Sequence, residues 1–419
     1  VWIAQAGLDA AGALGGIRRV LKNELGIDVR TMSVDAGVTP ERVLEAAAKI
    51  QEHEVVLREE GAETTRIVPK PVRPAPIAAN ERLILSQPPS GRTEAIEWRK
   101  APRTSPENDE IEIEVAATAL NFRDVMFARG LLPPDILNGG YAGPTLGMEC
   151  AGIVSKAGPD ATFKTGDRVI AFSPNAFATH VTISSRTAIA APTSLALEAA
   201  AAIPVIFVTA EYALTELARL RQGEWCLIHG GAGGVGLAAI QVARRAGAKV
   251  IATAGSEKKR ALLRLLGVEH VCDSRSLEFV TDVTRITNGQ GVDVILNSLA
   301  GRAMEQGLSC LAPFGRFIEL GKRDFVANTS IGLRAMRNNI SYFGVDADQL
   351  LKYRQDLGDR VMKTVAEGFQ TGDYSVPPVR VFSSEQVIEA FRLMENSGHI
   401  GKVVVVPPKA VEATETAST

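Results

Sequence analysis

The apolar positions of this chain change period along its length, and each change marks an element. Residues 110–118 (EIEIEVAAT) alternate strictly, as a half-buried strand does. Residues 82–98 also read as strand. Short apolar runs between Gly-rich turns continue as far as GDRVIAF (166–172) and predict a compact, largely β domain built as a partly open barrel. Residues 195–203 (LALEAAAAI) predict a helix ended by Pro204, and 209–218 a further helix. From 225 the pattern becomes regular. Strands at 225–229, 249–254, 269–273, 292–300 and 315–321 alternate with helices at 235–246, 276–287 and 302–311. That alternation predicts a doubly wound parallel (Rossmann) sheet. Beyond it come a strand at 340–347, helix over most of 348–370, a strand at 379–384, a helix at 385–396 and a last strand at 399–407.

The first 70 residues carry an incomplete α/β signal of their own. A glycine turn at 12–16 leads to a helix at 17–25. A strand at 28–34 precedes a helix opened by Thr39 as N-cap and Pro40 at its first position. Short strands follow at 54–58 and 65–68. Pro69, Pro71, Pro74 and Pro76 then make residues 71–81 a semi-rigid extended linker. The polar stretch 408–419 reads as another linker. The sequence starts mid-pattern, so a segment of a longer polypeptide is expected.

Composition narrows the class. The chain is 46% hydrophobic and 22% charged with a net charge of −2, which gives no electrostatic reason to expect nucleic acid or an anionic membrane. No apolar run is expected to cross a bilayer. Cys150, Cys226, Cys272 and Cys310 are scattered and form no C-x-x-C pair, so buried thiols in a reducing, cytoplasmic compartment are expected. No zinc site or other metal site is expected.

The candidate chemistry centres on 225–254, WCLIHGGAGGVGLAAIQVARRAGAKVIATA. Gly231, Gly233 and Gly236 have G-x-G-x-x-G spacing between a strand and a helix. Gly231 is expected to allow the tight turn, Gly233 the approach of a pyrophosphate, and Gly236 close helix packing. Gly231, Ala232, Gly233, Gly234, Val235 and Gly236 are therefore the expected dinucleotide-binding loop, with the helix N-terminus facing the phosphates. The next strand does not end in the acidic residue typical of NAD sites. It runs into Gly255-Ser256-Glu257-Lys258-Lys259-Arg260, a hydroxyl and three cations, and this favours NADPH. Glu257 fits the first turn of the next helix.

Several separated stretches carry a family resemblance: ALNFRDVMFARG, GDRVIAF, the glycine stretch, GVDVILNSLAG, GRFIELGKRD and HIGKVVV. Together they resemble the enoylreductase domain of type I polyketide synthases and animal-type fatty acid synthases, within the medium-chain dehydrogenase/reductase superfamily. The resemblance covers roughly 82–407. Residues 1–70 more weakly resemble part of the structural, non-catalytic ketoreductase subdomain that precedes this domain in such synthases. The resemblance implies a mostly β, GroES-like substrate domain from 82–208 and 345–407, with the NADPH-binding domain 209–344 inserted and the active site in the cleft between them. In zinc-dependent relatives a G-H-E motif supplies a His ligand; here Gly147-Met148-Glu149 lacks it.

The implied reaction sends a hydride to Cβ and a proton to Cα of a trans-2-enoyl thioester carried on acyl carrier protein. Lys322, just past a strand of the sheet, is the first candidate acid. The resemblance places Asp346 beside it, and Asp324 is a poorer candidate. Asn121, Phe122 and Arg123 are expected to line the cleft near the nicotinamide, with Thr209 opposite. Asn297, Ser298 and Leu299 would contact the nicotinamide end, Arg275 would join Ser256 and Lys259 at the adenosine phosphate, and Gly401 and Lys402 would close the cofactor site. Many such domains carry a Tyr in G-M-Y-P; here Gly130-Leu131-Leu132-Pro133 puts Leu132 in its place, leaving Lys322, Asp346 or water as the proton donor. The competing readings are a free-standing quinone oxidoreductase and a scaffold domain that has lost catalysis. Neighbouring synthase domains in the same polypeptide are expected. The oligomeric state, a homodimer being one option, is left open.

Overall fold

The computed structural model describes residues 2–6, 29–50, 54–64, 77–87 and 91–409. The turn and helix expected at 12–25, the strand expected at 65–68, most of the 71–81 linker and nearly all of 408–419 lie outside the described residues. Two compact units divide at Arg73 and Pro74. In the first, strands Trp2–Ala6, Arg30–Val34 and Glu54–Leu57 run parallel, and Ala62–Glu63 adds an antiparallel edge. Pro40 opens the helix Pro40–Lys49, where its missing N–H costs nothing. Met32, Val34, Val55 and Leu57 are the small core.

The second unit holds two main sheets. The first runs Ala188–Ala190, Arg168–Phe172, Glu149–Ala157, Glu110–Leu120, Lys402–Val405, Val379–Phe382, with His180–Ser184 also paired to Glu110–Leu120. Its pairings are antiparallel except the last. Strand Lys402–Val405 thus lies inside the sheet and not at its edge. The alternation of Glu110–Leu120 puts Ile111, Ile113 and Val115 into a core. Glu112 departs from the pattern. It is buried, because Arg103 pairs with both its oxygens at 2.8 Å.

The second sheet is parallel throughout, in the order His270–Asp273, Lys249–Ala254, Trp225–Ile228, Val292–Asn297, Leu311–Glu319, Ser341–Gly344. The chain progresses outward in one direction from Trp225–Ile228 and then in the other from Val292–Asn297. Ligands bind at such a reversal, outside the carboxyl ends of the strands.

Two expectations fail between the sheets. Pro204 does not end a helix. The short helix Leu197–Ala200 stops before it, and Pro204 opens Pro204–Glu211, which continues as a π-helix through Tyr212–Leu217. A proline at the first position lacks only an N–H the helix would leave unbonded. The segment Leu197–Leu217 is also apolar and long enough to cross a membrane, contrary to expectation, but 72% of that stretch is buried inside the protein. It is a core helix, packed on the glycine-loop helix Gly234–Arg245.

Candidate active site

The glycine loop joins Trp225–Ile228 to the helix Gly234–Arg245, whose N-cap is Gly233. The left-handed turn falls at Gly230 (φ +65°), one residue earlier than the motif suggested. Gly236 is required by packing: a Cβ there would lie 2.4 Å from the Gly230 carbonyl oxygen. Helix geometry leaves the first N–H groups, at Gly234, Val235 and Gly236, without intrahelical acceptors and able to face an anion. The last sheet strand meets this loop through its backbone. Gly401 bridges Gly233, and the Gly401 N–H donates to the Ala232 carbonyl at 2.9 Å.

Beyond the second strand, Ser256 caps the helix Glu257–Leu265. Of the three cations that follow, Arg260 is held by Asp273 and Glu257 and by the Ala254 carbonyl. It is a structural link. Lys259 reaches the Ser397 carbonyl at 2.7 Å, and the Arg275 side chain lies over Gly255, its Nε 2.7 Å from where a Cβ would stand. The Lys259 ammonium is pushed down, first by burial and then by the Arg275 charge. His399 is pushed to about 4 by burial, then by Lys259 and Lys402, and its buried Nδ1 has no partner. Two mutually repelling cations beside an exposed serine are the donor set a phosphate monoester requires.

The side chains of Asn121 and Asn297 are both tied to their neighbours. The Asn121 side chain donates to Glu149 Oε1 at 2.9 Å and accepts from Lys402 Nζ at 2.7 Å. Lys402 is 3% exposed and also donates to the Leu120 carbonyl at 3.0 Å and to Glu149 Oε1 at 2.7 Å. An ammonium has three donors, so Lys402 has none left for a ligand. Its contact with the cofactor loop is through the chain stem, which abuts Gly234, and through neighbouring Gly401. Glu149, in turn, accepts the Val205 N–H at 2.7 Å, at the start of the helix carrying the buried Thr209. The Asn297 amide is likewise committed, to the Leu299 carbonyl at 2.7 Å and to Glu319 Oε2 at 2.6 Å. Beside it the exposed Ser298 hydroxyl reaches the His229 carbonyl at 3.3 Å.

Lys322 begins the helix Lys322–Val326, immediately after the strand Leu311–Glu319. Asp346 follows the neighbouring strand Ser341–Gly344. The two meet at Lys322 Nζ to Asp346 Oδ2, 2.5 Å, with side chains 21% and 24% exposed. They form a partly open ion pair at the carboxyl ends of two neighbouring parallel strands. Asp324 is not with them: it accepts the Gly301 N–H at 3.0 Å and the Thr329 hydroxyl at 3.1 Å. Arg123 binds the Thr145 and Gly143 carbonyls, and Asp348 accepts the Ala142 N–H at 3.0 Å, so the loop 140–145 is pinned from both sides. Burial raises the Asp348 carboxyl, while Arg123 and Lys322 act in the opposite sense. Leu132 is buried with Met126 and Leu137 in an apolar cluster. Phe122 is exposed.

All four cysteines are buried, and burial holds each thiol high, Cys150 at about 12. Among the described residues no group of three or more His, Cys, Asp or Glu is placed to hold a metal ion. Met148 stands buried where zinc-dependent relatives have His.

Two family models match, one described as alcohol dehydrogenase GroES-like domain over residues 107–201 and one as zinc-binding dehydrogenase over 234–367. The solved structure of the CurK enoyl reductase is 36% identical, with a TM-score of 0.71, covering 78% of this chain and 99% of its own. This chain belongs to the enoylreductases of the medium-chain dehydrogenase/reductase superfamily. The CurF ER cyclopropanase of curacin A biosynthesis is similar too, at 34% identity and a TM-score of 0.72, again covering 78% and 99%. A mycocerosic acid synthase-like polyketide synthase of Mycobacterium tuberculosis is 37% identical over 95% of this chain. The enoylreductase spans 19% of that relative's length.

Proposed function

We propose that this enoylreductase reduces a trans-2-enoyl thioester carried on an acyl carrier protein, with NADPH as the reductant. The Lys322–Asp346 pair carries the reading. When bound, NADPH supplies the hydride that reaches Cβ. Charge then builds on the thioester oxygen, and Cα must take a proton. The Lys322 ammonium, partly open and held by Asp346, is suited to give that proton or to orient the water that does. Buried Leu132 has no proton to give. Lys259 and Arg275 around Gly255 support NADPH over NADH, because the repulsion between the two cations is relieved by the 2′-phosphate.

The test follows NADPH oxidation with a crotonyl thioester and, separately, with a small quinone, and identifies the thioester product by mass. Saturated thioester formed much faster than quinone is reduced is the expected result. Preferred quinone turnover, or a cyclised product, sinks the proposal. The cofactor arm is Lys259→Ala. It should raise KM for NADPH far more than for NADH, since only NADPH carries the extra phosphate; equal losses with both remove that part of the reading.

A further inference from the structure

Glu319 has no exposed surface, and no step proposed above uses it. It closes the strand Leu311–Glu319 beside Asn297, its register partner on Val292–Asn297. Its carboxylate has two donors. Oε1 accepts the Gly321 N–H at 2.6 Å, and Oε2 accepts Asn297 Nδ2 at 2.6 Å. Its backbone carbonyl accepts the Val345 N–H at 2.9 Å. Gly321 immediately precedes Lys322, and Val345 immediately precedes Asp346. One residue therefore fixes both chain segments that carry the ion pair.

The local sequence is built around this contact. A Cβ at 321 would lie 2.7 Å from Glu319 Oε1, so only glycine lets the carboxylate reach the N–H. The Asn297 amide cannot turn its other face to Glu319 without losing Leu299, whose carbonyl and N–H hold both its ends.

We propose that Glu319 is the positioning residue of the Lys322–Asp346 pair, holding the two loops at the separation that brings Lys322 Nζ onto Asp346 Oδ2. The inference rests on the reading of that pair as the proton-delivering device. Burial raises the Glu319 carboxyl to about 7, against the Gly321 and Asn297 hydrogen bonds and with the help of Asp324. Tyr342, on the adjoining strand, is raised in turn to about 12 by burial, Glu319 and Asp324. A carboxyl kept in so unfavourable a setting is a mark of functional sites more than of stabilising ones.

Glu319→Gln keeps the shape but turns an N–H₂ toward one of the two donors. With a 2-enoyl thioester, kcat should fall by about tenfold, the size of a mispositioned general acid, while KM for NADPH stays near the parent value. Lys322 should also be acylated faster by a small amine-reactive ester, read by peptide mass spectrometry, because its ammonium is released from Asp346. Gly321→Ala keeps the carboxylate but displaces it with a methyl group, and the same two changes are expected. Parent-like kcat and parent-like Lys322 labelling in both variants overturn the proposal. So does a kcat loss matched by an equal loss of NADPH binding with labelling unchanged. If the parent enzyme reduces no enoyl thioester, the function proposed above fails. The labelling rate, which needs no turnover, still decides whether Glu319 sets the Lys322–Asp346 contact.

Discussion

Lys322 and Asp346 separate the two demands of the reaction. Hydride delivery depends on where the substrate and cofactor lie, whereas proton delivery depends on a named group. Lys322→Ala is expected to lower kcat with a 2-enoyl thioester by at least about tenfold, with little change in NADPH affinity. Asp346→Ala should do less alone, because it orients the lysine at 2.5 Å and leaves the ammonium in place. The double variant should fall short of the product of the two losses, as residues acting as a unit do. Near-parent turnover in Lys322→Ala, with an unaltered solvent isotope effect, makes water the donor. At this scale Lys322 could be named from the sequence because it follows a strand of the parallel sheet, whereas Asp346 came only from the family resemblance. Glu319 could not be named from the sequence. A Glu at the end of an apolar run reads as the polar cap of a strand, and its partner Asn297 reaches it only through the pairing of two strands distant in sequence. The one available signal was Gly321, whose lack of a Cβ makes room for the carboxylate.

Elements were legible where periodicity was local and long. The strand Lys249–Ala254 stands where expected, and Ser256 caps the next helix with Glu257 in its first turn. The alternation of strand and helix from 225 onward was enough to infer the parallel sheet. Elements failed where a residue has two opposite uses. Pro204 can stop one helix or start another, and only packing against Gly234–Arg245 decides. Lys402 followed the same logic. A lysine in GKVVV suggested a cofactor contact, but its strand sits inside a sheet, where its charge needs Glu149. That ion pair joins the sheet, through Lys402 and Asn121, to the N-terminus of Pro204–Glu211. Lys402→Met therefore strands a buried carboxylate. It should destabilise the fold by about 3–5 kcal/mol, read as a shift of the urea midpoint. Adding Glu149→Gln should recover part of the loss, because the uncompensated charge is gone. A double variant no more stable than Lys402→Met shows that lost packing, not charge, sets the cost.

The stability of the whole enzyme as a function of pH joins these scales, because two buried groups pull it in opposite directions. His229, 3% exposed, is pushed down to about 3 by burial. The unfolded chain takes up its proton near 6.5 while the folded one does not, so stability falls as pH drops below 6.5. Glu319 acts in the other sense. Its folded value, about 7, lies above the ordinary 4.5, so the stability it lends is full below 4.5 and is lost as pH rises through 7. The gap between those values corresponds to about 3 kcal/mol. Between pH 6.5 and 4.5 these two contributions act in opposite senses in the parent. Glu319→Gln removes one and keeps the other. The variant should gain stability relative to the parent as pH rises from 5 to 8, by up to about 3 kcal/mol. The unfavourable N–H₂ contact contributes a constant offset of about 1–3 kcal/mol against the variant, which moves the difference without changing its slope. Urea midpoints of both proteins at pH 5 and pH 8 give the comparison, and a difference independent of pH means that Glu319 is already ionised throughout this range. If the slope appears together with the loss of turnover, the fold is carrying a carboxyl that weakens it at the pH of catalysis. It does so to hold Lys322 against Asp346.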